Sequence, residues 1–498
     1  MTIVVRTDGN TSIGTGHVMR CLALAQACRD SDLDVALASA ELPSALVGRW
    51  SEEGVLQHRI AETPGALEDA NCTGRLSHET GARWVVVDGY QFSLKYLRRL
   101  KELGCAVLSI DDCGYAGPYC ADVVLNQNAY ADKSFYPESE ASTRLLLGLR
   151  YLLLRREFRE RAGHRERATA PRAAKLLVTL GGSDPDNAAR TVLESLRFLN
   201  DASLEVRFIL GASNPHAGVV SGLAASISRS IEIVRDATRL SDSMEWADFA
   251  VSASGTTAWE LAYMGVPFLA LTIANNQRFL GDSLARHGVA VNLGWAKDLD
   301  AKTLALHIRR LANDAEIRAR MSRAGRRLLD GRGAFRVIQA LGLVSLSLRP
   351  ACPEDSAVLW NWANDPLVRR FSFQSDPISW QHHEQWFARK MGDPRCHIWI
   401  ADDAEGRPVG QVRFERQDDD AVSIAISIAA DSRGKGYAAQ LLRLGLRRAA
   451  RVFPGCVAHA SIKVENAASV RAFESAGFSL AGRGAIQGSD ALRLWRAL

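Results

Sequence analysis

No stretch of this sequence approaches the ~20 consecutive apolar residues that a membrane-crossing helix needs, which sets a bilayer-spanning helix aside. Paired cysteines are lacking as well. Nine cysteines are scattered along 498 residues without a single CxxC spacing. That pattern suits reduced thiols and offers neither a disulfide framework nor a zinc site. A large excess of one sign of charge is lacking too: a net charge of +5 is small for this length and does not argue for a nucleic-acid partner. The opening MTIVVRTDGN is a short apolar run broken by Arg6 and Asp8, with no small-residue cleavage site behind it. These absences lead to the expectation of a cytoplasmic protein that engages neither membrane nor nucleic acid.

What is present is a strand–helix rhythm. A chain this long predicts two to four compact units. Thr2–Arg6, Val35–Ser39, Trp84–Asp88, Ala106–Ile110 and Val123–Asn126 are short apolar runs, each followed by an amphipathic stretch or a turn. Such alternation predicts a parallel sheet with helices on both faces. Arg155–Arg172 carries seven arginines and is expected to be a solvated helix plus connector. The rhythm restarts at Lys175–Leu180 and runs through Glu205–Leu210, Ile231–Val234, Phe249–Ser252 and Val266–Thr272 to charged helices near Asp330. From about Ser345 longer strands with period-2 alternation predict a separate α+β unit. The fold expected is therefore α/β, with Rossmann-like halves at 1–155 and 156–340 followed by an α+β domain at 346–498.

Three segments carry the chemistry of the first part. GTGHVMRCLALA follows the first strand, and Gly14 and Gly16 there permit a tight turn and close approach of backbone N–H groups to an anion. His17 opens the next helix, where the dipole disfavours imidazolium, so a neutral general base for water is one reading and a capping or packing histidine the other. LVTLGGSDPDN supplies Gly181, Gly182 and Ser183, and VSASGTTAWELAYMGVP supplies Ser254, Gly255, Thr256 and Thr257. Loops of this kind aim unpaired N–H groups and hydroxyls at a diphosphate, and no metal is expected. Glu260, one turn into the helix, suits a pair of ribose hydroxyls, or is a plain helix-start carboxylate. Asn276 and Gln277, in ANNQ, suit a polar ligand or a helix cap.

These blocks, with VVVDGY at Val85–Tyr90, LSIDD at Leu108–Asp112 and LLLRREF at Leu152–Phe158, resemble the GT-B nucleotide-sugar enzymes related to the MurG glycosyltransferase. More closely, they are similar to the UDP-sugar hydrolases of pseudaminic acid biosynthesis. The resemblance implies cleavage of the anomeric C–O bond with inversion, water replacing a sugar acceptor. It implies His17 as general base, Tyr90 and Asn276 as sugar-side polar residues, and Glu260, Gln277 and the glycine loops on the UDP side. Tyr90, directly after a strand, equally suits a buried structural role. The rival reading is a UDP-sugar glycosyltransferase, and a binding protein with a vestigial site is a third.

The last part has its own signature. Val422, Ile424, Ile426 and Ile428 alternate with Ser423, Ala425 and Ser427, and the strand runs into Arg433, Gly434, Lys435, Gly436, Tyr437 and Ala438 at the start of a Leu-rich helix. Backbone N–H groups at such a helix start suit a pyrophosphate. SIKVENAASVRAFESAGF follows, with Asn466, Ser469, Arg471 and Phe473. Together these blocks resemble the GNAT acetyltransferases, which implies acetyl-CoA as co-substrate, two parallel strands splayed to admit its pantetheine, and direct transfer to an amine. Cys456 is then structural. Phe473 stands where many family members carry a tyrosine that protonates the departing thiolate, and a phenyl ring has no proton to give. The WNWANDP opening also resembles ribosomal-protein N-terminal acetyltransferases, so the acceptor is inferred from the fused first part: the 4-amino group of UDP-4-amino-4,6-dideoxy-N-acetyl-β-L-altrosamine.

Overall fold

Runs of Val, Ile, Leu and Ala bounded by turn residues form fully buried parallel strands, because both of their faces must be covered by helices. In the computed structural model seven such strands make the first sheet. They are β1 (Thr2–Thr7), β2 (Asp34–Ser39), β3 (Leu56–Arg59), β4 (Trp84–Asp88), β5 (Ala106–Ile110), β6 (Val123–Asn126) and β7 (Arg144–Leu147), in the order 3-2-1-4-5-6-7. A second parallel sheet holds β8 (Lys175–Thr179), β9 (Glu205–Leu210), β10 (Ile231–Arg235), β11 (Phe249–Ala253), β12 (Phe268–Thr272) and β13 (Ala290–Trp295), in the order 10-9-8-11-12-13. The structure describes residues 1–10, 13–112, 114, 119–137, 139, 142–161, 168–182, 184–199, 203–211, 214–227, 230–235, 239–418 and 420–498, without the side chain of Asn276.

Strand order reverses between β1 and β4 in one sheet and between β8 and β11 in the other. At such switch points the loops leaving the strand ends part and open a crevice. His17 follows β1, Tyr90 follows β4, Gly181 follows β8 and Ser254 follows β11.

Three strands lie beyond the expected set. β3 (LQHR), β7 (RLLL) and β13 are edge strands. Edge strands are short or polar because only one side is paired, so they lack the apolar signal of central strands. The arginine-rich segment also departs from expectation. Its first residue, Arg155, is buried, and Phe158 joins Leu152 and Leu154 in a core cluster with Leu177, Trp259 and Phe268.

Contacts divide the chain into two compact units, Met1–Arg29 with Leu33–Ile338, and Gln339–Leu498 with Asp30–Asp32. The second unit is built on β14 (Ser347–Pro350), β15 (Cys396–Asp402), β16 (Pro408–Arg416), β17 (Ala421–Ile428), β18 (Val457–Lys463), β19 (Ser479–Ile486) and β20 (Ser489–Ala497), in the order 14-15-16-17-18-20-19. Only β17 and β18 run parallel, and they pair over three positions, Ala421 to Ser423 against Val457 to His459. Leu441, Leu442, Leu444 and Leu446 of the helix Tyr437–Val452 bury against Val412, Phe414 and Val422 of the sheet. Among the described residues no helix is long and apolar enough to cross a membrane.

Candidate active sites

The cleft of the first unit, a cavity of about 430 Å³, draws its walls from both sheets. Gly14, Gly16, His17 and Tyr90 come from the first half, and Gly181, Gly182, Ser254, Gly255, Thr256, Thr257, Glu260 and Gln277 from the second. Of the residues singled out from sequence, Ser183 and the side chain of Asn276 lie outside the described residues. The two halves meet closely: a Cβ on Gly182 would lie 2.8 Å from the Thr15 hydroxyl, so a larger residue there would have to displace that side chain. Gly14 turns the chain at φ +74, whereas a Cβ on Gly16 would meet nothing within 4 Å, so the turn does not require glycine at 16.

His17 sits at the foot of the helix Gly16–Asp30, and its Nδ1 lies 2.7 Å from Asp88 Oδ1 at the end of β4. Asp88 is fully buried and accepts two more bonds from Arg20, Nε to Oδ2 and Nη2 to Oδ1, both at 2.7 Å. Burial alone would push the Asp88 carboxyl up, but the Arg20 guanidinium and His17 hold it well below the usual carboxylate range. Arg20 Nη2 lies 3.0 Å from the same nitrogen. With the Asp88 carboxylate accepting an Nδ1–H, the neutral imidazole carries its lone pair on Nε2. Arg20 Nη1 also donates to Asp112 Oδ1 at 2.7 Å, and Asn128 Nδ2 donates to the same oxygen at 2.9 Å. Tyr90 hydroxyl donates to Asp112 Oδ2 at 3.1 Å, and its ring meets the His17 ring edge-on, with centroids 4.8 Å apart. Tyr90 is exposed, which removes the buried structural reading.

Asp88, Arg20, Asp112 and Asn128 were missed as site residues. For three of them a local signal was present: Asp88 ends β4 inside VVVDGY, Asp112 follows β5 by two residues inside LSIDD, and Arg20 lies one turn from His17, on the same helix face.

On the other wall Glu260 is not a plain exposed helix-start carboxylate. It is buried, and Arg155 grips it with Nε to Oε1 at 3.0 Å and Nη2 to Oε2 at 3.1 Å. Burial pushes the Glu260 carboxyl up, and Arg155 opposes that rise. Gln277 Oε1 accepts from the Ile273 N–H, as a local cap would. The helix Thr256–Met264 begins at Gly255 without a side-chain cap. Ser254, fully buried and lining the cleft, has a hydroxyl with no protein partner among the described residues. An orphaned hydroxyl beside an uncapped helix start fits an anionic ligand group.

The second unit has a cavity of about 600 Å³ between the diverging ends of β17 and β18. Ile426, Ile428, Arg433, Gly434, Gly436, Tyr437, Ala438, Asn466, Ser469, Arg471 and Phe473 line it, and Lys435 does not. The Arg433 guanidinium is engaged by Asp365 at 2.7 Å and by the Ile428 carbonyl at 3.3 Å. Asn466 caps its helix by accepting from the Ser469 N–H at 3.1 Å. Phe473 is buried and packs edge-on against Phe478, and Cys456 is buried in the core. The separation of β17 from β18 beyond Ser423 leaves backbone groups of both strands free to pair with an extended, amide-bearing chain such as pantetheine.

Residues 345–479 match the acetyltransferase (GNAT) domain family. Over 97% of its length the chain is 23% identical to an uncharacterized protein of Methanocaldococcus jannaschii, 98% of which is covered. Over 58% of its length it is 24% identical to the UDP-2,4-diacetamido-2,4,6-trideoxy-beta-L-altropyranose hydrolase of Campylobacter jejuni, again covering 98% of that protein. MurG of Acinetobacter baumannii shares the fold with a TM-score of 0.50 at 17% identity, over 69% of this chain and 99% of that one. The class is thus an α/β chain of GT-B architecture joined to a GNAT domain. In particular, a UDP-sugar-hydrolase-like, MurG-like region is fused to a C-terminal acetyltransferase domain.

Proposed function

We propose that the first unit hydrolyses UDP-2,4-diacetamido-2,4,6-trideoxy-β-L-altropyranose to UDP and the free sugar. The GNAT domain acetylates the 4-amino group of the UDP-4-amino precursor, so its product is the first unit's substrate. The observation that carries the hydrolytic reading is the 2.7 Å contact between His17 and the buried Asp88 at the cleft. With Nδ1–H directed at Asp88, Nε2 takes a proton from water as the water oxygen bonds to C1. The C1–O bond to the diphosphate breaks, its electron pair leaves with UDP, and one displacement inverts the anomeric centre. The Gly181–Gly182 turn, the Ser254 hydroxyl and the start of the helix Thr256–Met264 suit the charge that grows on the leaving diphosphate.

In the second unit the amine nitrogen attacks the thioester carbonyl of acetyl-CoA, the C–N bond forms and the C–S bond breaks. Gly434, Gly436 and the start of the helix Tyr437–Val452 are suited to the pyrophosphate of CoA. Phe473 cannot supply the proton that the thiolate takes up.

The test is to incubate the purified protein with the diacetamido UDP-sugar in heavy-oxygen water and no acceptor. UDP release with label in the sugar's anomeric hydroxyl is expected. Label in UDP would remove the C–O cleavage mechanism. The MurG-like fold favours a second reading, sugar transfer, and release that depends on an added acceptor would select it.

A further inference from the structure

His17 is only 7% exposed, while Tyr90, in edge contact with it, is 38% exposed. Both rings line the cleft, and Tyr90 covers one side of the base. Ring centroids 4.8 Å apart leave no layer of carbon-sized space between imidazole and phenol. The tyrosine is also braced in this position. Its hydroxyl is held by Asp112, which Arg20 and Asn128 hold in turn. The next residue, Gln91, donates from Nε2 to Asp8 Oδ2 at 2.9 Å. Its backbone carbonyl is packed so closely on Gly65 that a Cβ there would lie 2.3 Å away.

A nucleophile must bring its oxygen to about 3 Å from Nε2. Water needs room for that oxygen alone. An alcohol also carries a carbon on the oxygen, and carbon needs about 3.5–4 Å from any neighbouring carbon. Resting on the hydrolase reading of this cleft, we propose that the Tyr90 ring is the specificity-determining wall that admits water and turns away carbon-bearing hydroxyls, making a GT-B cleft a hydrolase. In the reaction so excluded, the alcohol oxygen would bond to C1, its proton would pass to His17 Nε2, and the C1–O electron pair would leave with UDP. The product would be a glycoside in place of the free sugar.

The experiment supplies the full-length protein with the diacetamido UDP-sugar across a methanol series and measures methyl glycoside against free sugar by mass spectrometry. Wild type and Tyr90→Phe, which keep the ring, are expected to give free sugar almost exclusively. Tyr90→Ala and Tyr90→Ser are expected to release UDP more slowly and to raise the glycoside fraction at least about tenfold, the usual scale of discrimination by a methyl-sized space. An unchanged product ratio in both truncated variants would overturn the proposal, as would loss of all UDP release in both while circular dichroism and UDP binding stay intact. A wild type that releases no UDP in plain buffer would instead remove the hydrolase reading, so the two failures are told apart.

Discussion

Replacing Arg155 with methionine leaves the Glu260 carboxylate buried without its two-pronged partner. Removing one member of a buried ion pair generally destabilises by about 3–5 kcal/mol, because the remaining charge has lost water and gained nothing. Neighbouring charges do not offset the loss, because the repulsive field of Glu157 on Glu260 exceeds the attraction of Arg49. For a unit of this size, about 3 kcal/mol corresponds to a fall of about 4 °C in Tm. The sign of the pH dependence follows from the direction of the Glu260 shift. Its folded pKa lies above the ordinary value because of burial, and loss of Arg155 raises it further. The native state then holds a proton that the unfolded state has released above about pH 4.3, so the variant's deficit is large at pH 8 and narrows toward pH 5. Scanning calorimetry of the full chain, following the transition that UDP shifts, measures this. Adding Glu260→Gln to the variant is expected to recover most of the loss. A deficit independent of pH, or a double variant no better than the single one, would refute the uncompensated-charge argument.

Asp88→Asn removes the charged acceptor at His17 Nδ1, and a fall of about 10²–10⁴-fold in kcat for UDP release is expected with KM little changed; a KM effect alone would make Asp88 a packing residue. His17→Ala, given the 4-amino UDP-sugar and acetyl-CoA, is expected to accumulate the diacetamido UDP-sugar with little free UDP by liquid chromatography; unaltered UDP release would place the base elsewhere. Gly436→Trp fills open space at the start of the helix Tyr437–Val452, where a Cβ meets nothing within 4 Å, and also strains a backbone held at φ +77. Calorimetry is expected to show loss of acetyl-CoA binding while UDP release continues; retained binding would move the cofactor away from that loop.

Sequence alone determined the central strands, the glycine turns and the alternating strand Val422–Ile428, because each is written in a short window: period-2 or continuous apolar runs, and glycines where a backbone must turn. It also placed His17 at a helix start. It could not supply the partners. Asp88 lies 71 residues from His17 and Glu260 lies 105 residues from Arg155. Neither pair leaves a mark in local periodicity, since a lone aspartate at a strand end reads the same whether it faces water or an imidazole. The edge strands β3, β7 and β13 escaped for a related reason: with one side unpaired they need little apolar surface. Arg155 was misjudged because a run of arginines is usually solvated, and only the meeting of the segment after the first sheet with the helix Thr256–Met264 shuts one of them away from water against Glu260. Local chemistry chose the loops and strands; burial, which only the assembled halves create, decided which charges pair and set His17 Nδ1 against Asp88.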